Sequence, residues 1–256
     1  MAARSPFDRS RERRFFLDPS APTGQPRLAD QELHHALHVN RLGQGDQLWG
    51  LDGAGSARLL EITAATRRDL TLRPLGEIQT CQPAGSPGAP LIHLEVGLSM
   101  PKPGKAEEMV DRLTQIGVAR LQPLIFQHSA EHARTLSKGR MEKLQRASRE
   151  AMKQCLRLWP MEIATPISLQ DWLHADAHTI VLDPLSEKSL LERLSYSSPT
   201  SHLRLLIGPE GGFQASEIEC AKERGAEPAS LRGHVLRIET AAEIGAGIAL
   251  QLCDPI

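Results

Sequence analysis

Two stretches carry the residues best placed to do chemistry: Leu205-Leu206-Ile207-Gly208-Pro209-Glu210-Gly211-Gly212-Phe213 and Leu236-Arg237-Ile238-Glu239-Thr240-Ala241. In the first, the glycines leave a backbone with few side chains in the way, so its N–H and C=O groups can approach a flat or polar ligand closely. In the second, Arg237 and Glu239 bring opposite charges to what reads as the end of an apolar strand. Functional charges tend to collect beside such loops, and the plain alternative is a salt bridge between the two residues. Each stretch reads as a strand, a loop and a helix, with Ser216-x-x-Glu219 and Thr240-x-x-Glu243 as capping boxes. Loops at the C-terminal ends of strands are where open α/β sheets bind small molecules.

The elements that must position these loops follow from hydrophobic period. Strands are expected at 91–98, 121–126, 179–182 and 203–207, with helices at 105–116 and 137–158; Met109, Leu113 and Ile116 form one apolar face of the first. Strands alternating with helices define an α/β domain with a mostly parallel sheet. Before it, residues 41–62 read as short strands between glycine turns, with Asp52-Gly53 as a hairpin turn, a further strand at 69–75 and one helix near 31–38. This N-terminal part is expected to be a small β-barrel. The stretch Gln82-Pro83-Ala84-Gly85-Ser86-Pro87-Gly88-Ala89-Pro90 breaks regular structure and sets the boundaries: residues 1–81, a linker at 82–90, and residues 91–256.

The 256 residues, 40% hydrophobic and 24% charged, suit an ordinary globular protein of one large or two modest domains. Cys81, Cys155, Cys220 and Cys253 are far apart and form no C-x-x-C pair, so neither a zinc site nor a disulfide framework is expected and a reducing cytoplasm is the simplest home. No apolar run approaches the roughly 18 residues that span a bilayer. Gly97 and Gly104-Lys105 are too far apart for a phosphate loop, Ala106 replaces its hydroxyl, and the G-x-G-x-x-G fingerprint is missing. His34 with His38, and His128 with His132, lack a third ligand at metal spacing, so no metal is expected.

A formal net charge of −1 excludes a uniformly basic surface but not a local patch. Arg146, Arg149, Lys153 and Arg157 make a basic stripe on the long helix, which reads either as a solvated face or as a phosphate-binding one. A second cluster, Arg9, Arg11, Arg13 and Arg14, runs into Phe15-Phe16. Arginines beside aromatics suit a nucleic-acid backbone with a stacked base, although both phenylalanines could instead be core residues of the first strand.

The segments Leu206 to Phe213 and Val235 to Ala241 closely resemble the two signature loops of the RsmE-type 16S rRNA (uracil-N3)-methyltransferases of the SPOUT superfamily. The resemblance extends to Arg14-Phe15-Phe16, His35-x-x-x-Val39-x-Arg41-Leu42 with Gly45-Asp46, and Glu150-Ala151-x-x-Gln154-x-x-Arg157-x-x-Pro160, so it covers nearly the whole chain in order. It implies a PUA-like RNA-binding barrel, then an α/β domain ending in a trefoil knot, acting as a homodimer on the small ribosomal subunit. Periodicity alone cannot show a knot, which general rules of chain connection disfavour. The resemblance also implies that S-adenosylmethionine is cradled by Ile207, Gly208, Glu210, Gly211 and Gly212 on one side, by Leu231, Leu236, Ile238 and Thr240 on the other, and by Leu182 and Pro184 as a third wall.

RNA contacts are expected from Arg13, Arg14, Phe15, Arg41, Arg146, Arg149, Lys153 and Arg157. Methylation of uracil N3 needs positive charge near the carbonyls and a proton acceptor; Arg237 is expected to supply the first and Glu210 or Glu239 the second. One departure stands out. Where the family commonly has Lys-x-x-Glu-Leu-Gly-Val, this chain has Arg112-Leu113-Thr114-Gln115-Ile116-Gly117-Val118, which keeps the cation and loses a carboxylate. Two other functions share these features: a knotted methyltransferase acting on another RNA site, and a non-catalytic RNA-binding or ribosome-assembly factor that retains the pocket.

Overall fold

The structure is a computed structural model that describes residues 13–22, 24–86, 89, 92–173, 178–195, 201–231 and 233–253. Arg9, Arg11 and part of the 82–90 linker lie outside the described residues. The chain divides into two compact units: residues 1–83 with 152–160, and residues 84–151 with 161–256. The return of 152–160 to the first unit has no composition signal in the sequence.

The first unit contains β1 (Arg13–Phe16), α1 (Asp30–His34) continued by one π-helical turn (His35–Val39), β2 (Gln47–Leu51), β3 (Ser56–Ala65), β4 (Leu70–Pro74) and β5 (Gln79–Thr80). β1 pairs with β2 in parallel, and β2, β3 and β4 form antiparallel neighbours, with β5 on β3. Asp52 shapes the β2–β3 turn by accepting the N–H groups of Ala54 (2.7 Å) and Ser56 (2.8 Å) on one carboxylate oxygen. Among the described residues β1 and β4 do not pair.

Side chains alternate across that sheet, as the pleat requires. Phe15, Leu48, Leu60, Ile62 and Leu72 pack with Leu28 and Ala36, whereas Phe16, Trp49, Leu51 and Ala57 pack with Met152 and Leu158. Segment 152–160 is sewn onto the unit by the Gly55 N–H bond to Leu158 (3.0 Å) and the Trp159 indole bond to the Cys81 carbonyl (2.8 Å).

The second unit runs β6 (His93–Leu98), α2 (Lys105–Ile116), β7 (Arg120–Ile125), α3 (Glu131–Arg134), α4 (Lys138–Gln154, its last residues in the first unit), β8 (Glu162–Ile163), β9 (Ile167–Ser168), α5 (Leu169–Trp172), β10 (Thr179–Leu182), α6 (Leu190–Ser195), β11 (His202–Ile207), α7 (Ala215–Glu223), β12 (Glu227–Ala229) and α8 (Ile238–Cys253). The strands form a parallel sheet in the order β12-β10-β11-β6-β7-β8, with β9 also on β7. β10 is buried along its whole length, the mark of a strand covered on both faces. One cover combines residues of α2, α6 and α8, including Met109, Leu113, Leu190, Ala242 and Ala246; the other contains Phe126, Trp172 and Ala221. Fold class and alternation follow the sequence reading, and α2 and β10 have the expected bounds.

Candidate functional site

Three strand ends lie side by side at the C-terminal rim of the sheet. Leu182 of β10 is in register with Ile207 of β11 on one side and Ala229 of β12 on the other. The loops that follow therefore leave the sheet as neighbours: 183–189, 208–214 and 230–237. Beneath them α8 packs closely, and a Cβ at Gly245 would fall 2.9 Å from Leu182 Cδ1. Leu182, Ile207 and Ile238 are buried, Leu231, Leu236 and Thr240 are half-buried, and Pro184 is exposed at the start of the middle loop.

Loop 208–214 contains a tight turn closed by the Gly212 N–H bond to the Pro209 carbonyl (2.9 Å), with Gly212 at φ +76°. That left-handed conformation requires glycine. At Gly208 an added Cβ would lie 2.9 Å from the Phe213 ring, which packs edge-on against Phe126. Gly211 differs from both. Its added Cβ would meet nothing nearer than His128 Cβ at 3.5 Å, an ordinary contact, so the chain's own packing does not demand glycine there. The N–H groups of Glu210 and Gly211 make no hydrogen bond among the described residues, and the exposed Glu210 side chain has no partner there.

The helix after this loop begins earlier than its serine suggests. α7 has Gln214 as N-cap, and buried Glu217 accepts the N–H of Gln214 (2.8 Å) on one oxygen and that of Gln127 (2.9 Å) on the other. The Ser216-x-x-Glu219 box is thus replaced by Gln214 and Glu217, because Glu217 occupies the third helical position and Ser216 already lies inside the helix. His128 hydrogen-bonds Gln214, so the loop after β7 joins the same rim.

The second stretch corrects the sequence reading more strongly. Residues 235–237 are loop, not strand, and α8 starts at Ile238, with the Arg237 carbonyl accepting the Ala241 N–H (2.9 Å). Thr240 is inside the first turn and caps nothing. Ser230 ties this loop to the middle one: its N–H donates to the Lys188 carbonyl (2.8 Å), and its own carbonyl accepts the Leu190 N–H (2.9 Å). Arg237 and Glu239 do not pair with each other. Glu239 accepts from Lys105 Nζ at 3.3 Å, while the exposed Arg237 has no side-chain partner among the described residues.

The position lacking the family's carboxylate lies on the exposed face of α2, where Gln115 donates to Asp111 (2.6 Å). Arg112 pairs with Glu243 of α8 at 3.2 Å. Lys105, Glu243 and His128 were not singled out as site residues. No local pattern could have found the two ion pairs, whose partners are 134 and 131 residues apart in sequence.

The expected RNA-contacting residues separate by exposure. Arg13, Arg41, Arg146 and Arg149 are exposed, and Arg14 is half-buried. Phe15 is 1% exposed in the core of the first unit, so the core reading of this ring replaces the stacking one. Lys153 leaves the stripe: it is buried, donates to Glu32 Oε1 at 2.7 Å and lies 5.4 Å from the Phe16 ring centroid. Arg157 is half-buried, and desolvation lowers its guanidinium pKa. None of the four cysteines forms a disulfide among the described residues. Among the described residues no group of three His, Cys, Asp or Glu could hold a metal, and no helix is long and apolar enough to cross a membrane.

A parallel α/β sheet with a glycine loop and two neighbouring loops on its C-terminal rim, accompanied by a small unit built on a five-stranded sheet, has the architecture of a ligand-binding α/β protein with an accessory domain. The chain belongs to the RNA methyltransferase family, whose domain model matches residues 87–249; the model of the PUA domain of RNA methyltransferases matches residues 28–75. The ribosomal RNA small subunit methyltransferase E of Synechocystis is 28% identical over 85% of this chain and 70% of its own length. A probable rRNA-methyltransferase of Porphyromonas gingivalis superposes with a TM-score of 0.75 at 27% identity, over 91% of this chain and 95% of its own. The fold is also that of the ribosomal RNA small subunit methyltransferase E of Neisseria gonorrhoeae bound to S-adenosyl methionine: TM-score 0.76, 20% identity, 92% of this chain and 95% of the other.

Proposed function

We propose that this protein transfers a methyl group from S-adenosylmethionine to N3 of a uridine in the 16S RNA of the small ribosomal subunit. The observation that carries the reading is the juxtaposition of loops 183–189, 208–214 and 230–237 on one sheet rim, in a chain of the RNA methyltransferase family. The relatives' names point to small-subunit ribosomal RNA, and the Neisseria protein's bound ligand points to the cofactor. The residues fit that group. Gly211 is glycine without an internal steric reason, and the neighbouring amides are uncommitted.

Leu182, Pro184, Ile207, Gly208, Gly211, Gly212, Leu231, Leu236, Ile238 and Thr240 would hold the cofactor, with apolar side chains excluding water and backbone groups fixing orientation. Bound there, S-adenosylmethionine supplies an electrophilic methyl on a sulfonium. Arg237, exposed at the head of α8, stabilises negative charge on the uracil carbonyls as the N3 proton leaves. The proton goes to Glu210, whose carboxylate is uncommitted; Glu239 is engaged by Lys105, which supports a positioning role for it instead.

The hydrogen bonds that tie loop 183–189 to Ser230, with α8 following that second loop, are in keeping with a trefoil knot. Ile244 and Leu252, exposed on α8, support a homodimer through this helix. Four cysteines without a disulfide among the described residues are in keeping with a cytoplasmic home. Incubation of the purified protein with small subunits from cells lacking it, followed by nucleoside mass mapping, should yield 3-methyluridine at one site. An RNA map unchanged by both the gene's loss and the added protein would overturn the reading.

A further inference from the structure

Among the described residues, the first unit gathers arginines without an ion-pair partner at one end of its sheet. Arg13 opens β1, and its partner Leu48 is one residue into β2, so both strands start at this end. Arg41 lies in the loop leading into β2, in the left-handed conformation at φ 52° that a non-glycine residue adopts at a cost of about 1–2 kcal/mol. β3 runs past the start of β2 and turns into β4 through Thr66-Arg67-Arg68-Asp69. Its tip therefore projects beyond the sheet at that same end.

This tip is built as a rigid platform. The Thr66 N–H donates to the Asp69 carbonyl (2.9 Å), the Thr66 hydroxyl oxygen accepts the N–H groups of Arg68 (3.2 Å) and Asp69 (2.9 Å), and the Asp69 carboxylate accepts the Leu70 N–H (2.9 Å). The nearby Asp46 carboxylate is likewise turned onto its own loop, accepting the Gly43 N–H at 2.8 Å. The carboxylates of Asp46 and Asp69 thus serve their own loops, and among the described residues Arg67 and Arg68 are exposed without partners. At the same end Glu61, in register with Gln47 and Arg73, is paired with Arg73, and Arg58 farther along β3 donates to the Gly76 carbonyl (2.8 Å). Exposed Ala64 and Ala65 leave the stem below the tip slim.

We propose that the β3–β4 turn is an RNA-docking element, in which Arg67 and Arg68 hold phosphates of folded RNA alongside Arg13 and Arg41. The inference rests on the RNA-methylating reading for its choice of partner. Two guanidiniums on a hydrogen-bonded turn have little backbone freedom left to lose on binding, and their planar forks match phosphate oxygens. Such contacts fix register on the RNA without reading its bases.

The test compares the full-length protein with Arg67→Gln/Arg68→Gln, Arg67→Lys/Arg68→Lys and Arg73→Gln, measuring binding to small subunits from cells lacking the protein between 50 and 200 mM salt. The glutamine pair should weaken binding about tenfold and reduce the log–log salt slope by about two, since each phosphate contact contributes roughly one. The lysine pair should stay near wild type, and Arg73→Gln should change little. Unchanged affinity and slope for the glutamine pair, or an equal loss on Arg73→Gln, would overturn the proposal. Methyl transfer by the wild type is measured in parallel: its absence sinks the enzymatic reading alone, whereas hairpin-independent binding by an active enzyme sinks this one alone.

Discussion

Arg237 and Gly211 separate chemistry from binding at the level of single side chains. Arg237 is exposed and holds no carboxylate among the described residues, so Arg237→Ala removes no internal interaction. Turnover should fall by about 10²–10³-fold, as for loss of a single charge-stabilising group, while calorimetry shows near-normal S-adenosylmethionine affinity; retained turnover would end its assigned role. Gly211→Ala and Gly212→Ala should part company. The first meets only an ordinary 3.5 Å contact and should leave stability within about 0.5 kcal/mol while weakening cofactor binding. The second places a Cβ at φ +76° and should cost about 1–2 kcal/mol in a denaturant melt. Equal stability losses would mean that Gly211 is glycine for folding.

Among the elements, α4 shows how one helix changes its role along its length. Arg146 and Arg149 face solvent, whereas Lys153, on the part belonging to the first unit, is buried against Glu32. A one-sided Lys153→Ala strands a buried carboxylate and should cost about 3–5 kcal/mol in chemical unfolding. Lys153→Met with Glu32→Leu should recover most of that loss, because two apolar groups leave no unpaired charge. A single-variant cost below about 1 kcal/mol would show the pair to be solvated. Periodicity made this helix legible, but the same period that aligns Arg146, Arg149 and Lys153 could not show where solvent ends. The two proposed capping boxes failed for a similar reason: a hydroxyl three residues before a glutamate is necessary for the motif, but helix phase decides which residue is the cap. α2 and β10 succeeded because burial, period and flanking breaks all agreed.

Over the molecule as a whole, acid sensitivity is expected at the end of the sheet opposite the site. His93 of β6 is in register with His202 of β11, the rings 5.0 Å apart, and burial followed by the His202 charge lowers the His93 pKa, with Glu95 opposing and Arg120 reinforcing. The unfolded chain therefore takes up a proton more readily than the folded one. This stability is complete above the reference value of 6.5 and is lost as pH falls from there towards the lowered folded value. The melting temperature of the wild type should drop more steeply than that of His93→Asn between about pH 6.5 and 5; parallel curves would remove His93 as the cause.

By itself the sequence determined the alternation of strands and helices, the glycine loop, and a resemblance that named family and cofactor. These depend on local period, backbone freedom and motif spacing, which act over a few residues. Tertiary structure alone decided that Glu239 belongs to Lys105, that Lys153 belongs to Glu32, that Phe15 is core, and that the 235–237 segment is loop. The two ion pairs were settled by partners more than 100 residues away, and Phe15 by which face its strand buries. Such pairings are selected by the free energy of the packed whole, in which a charge stays buried only where an opposite charge meets it, and no window of sequence contains both halves.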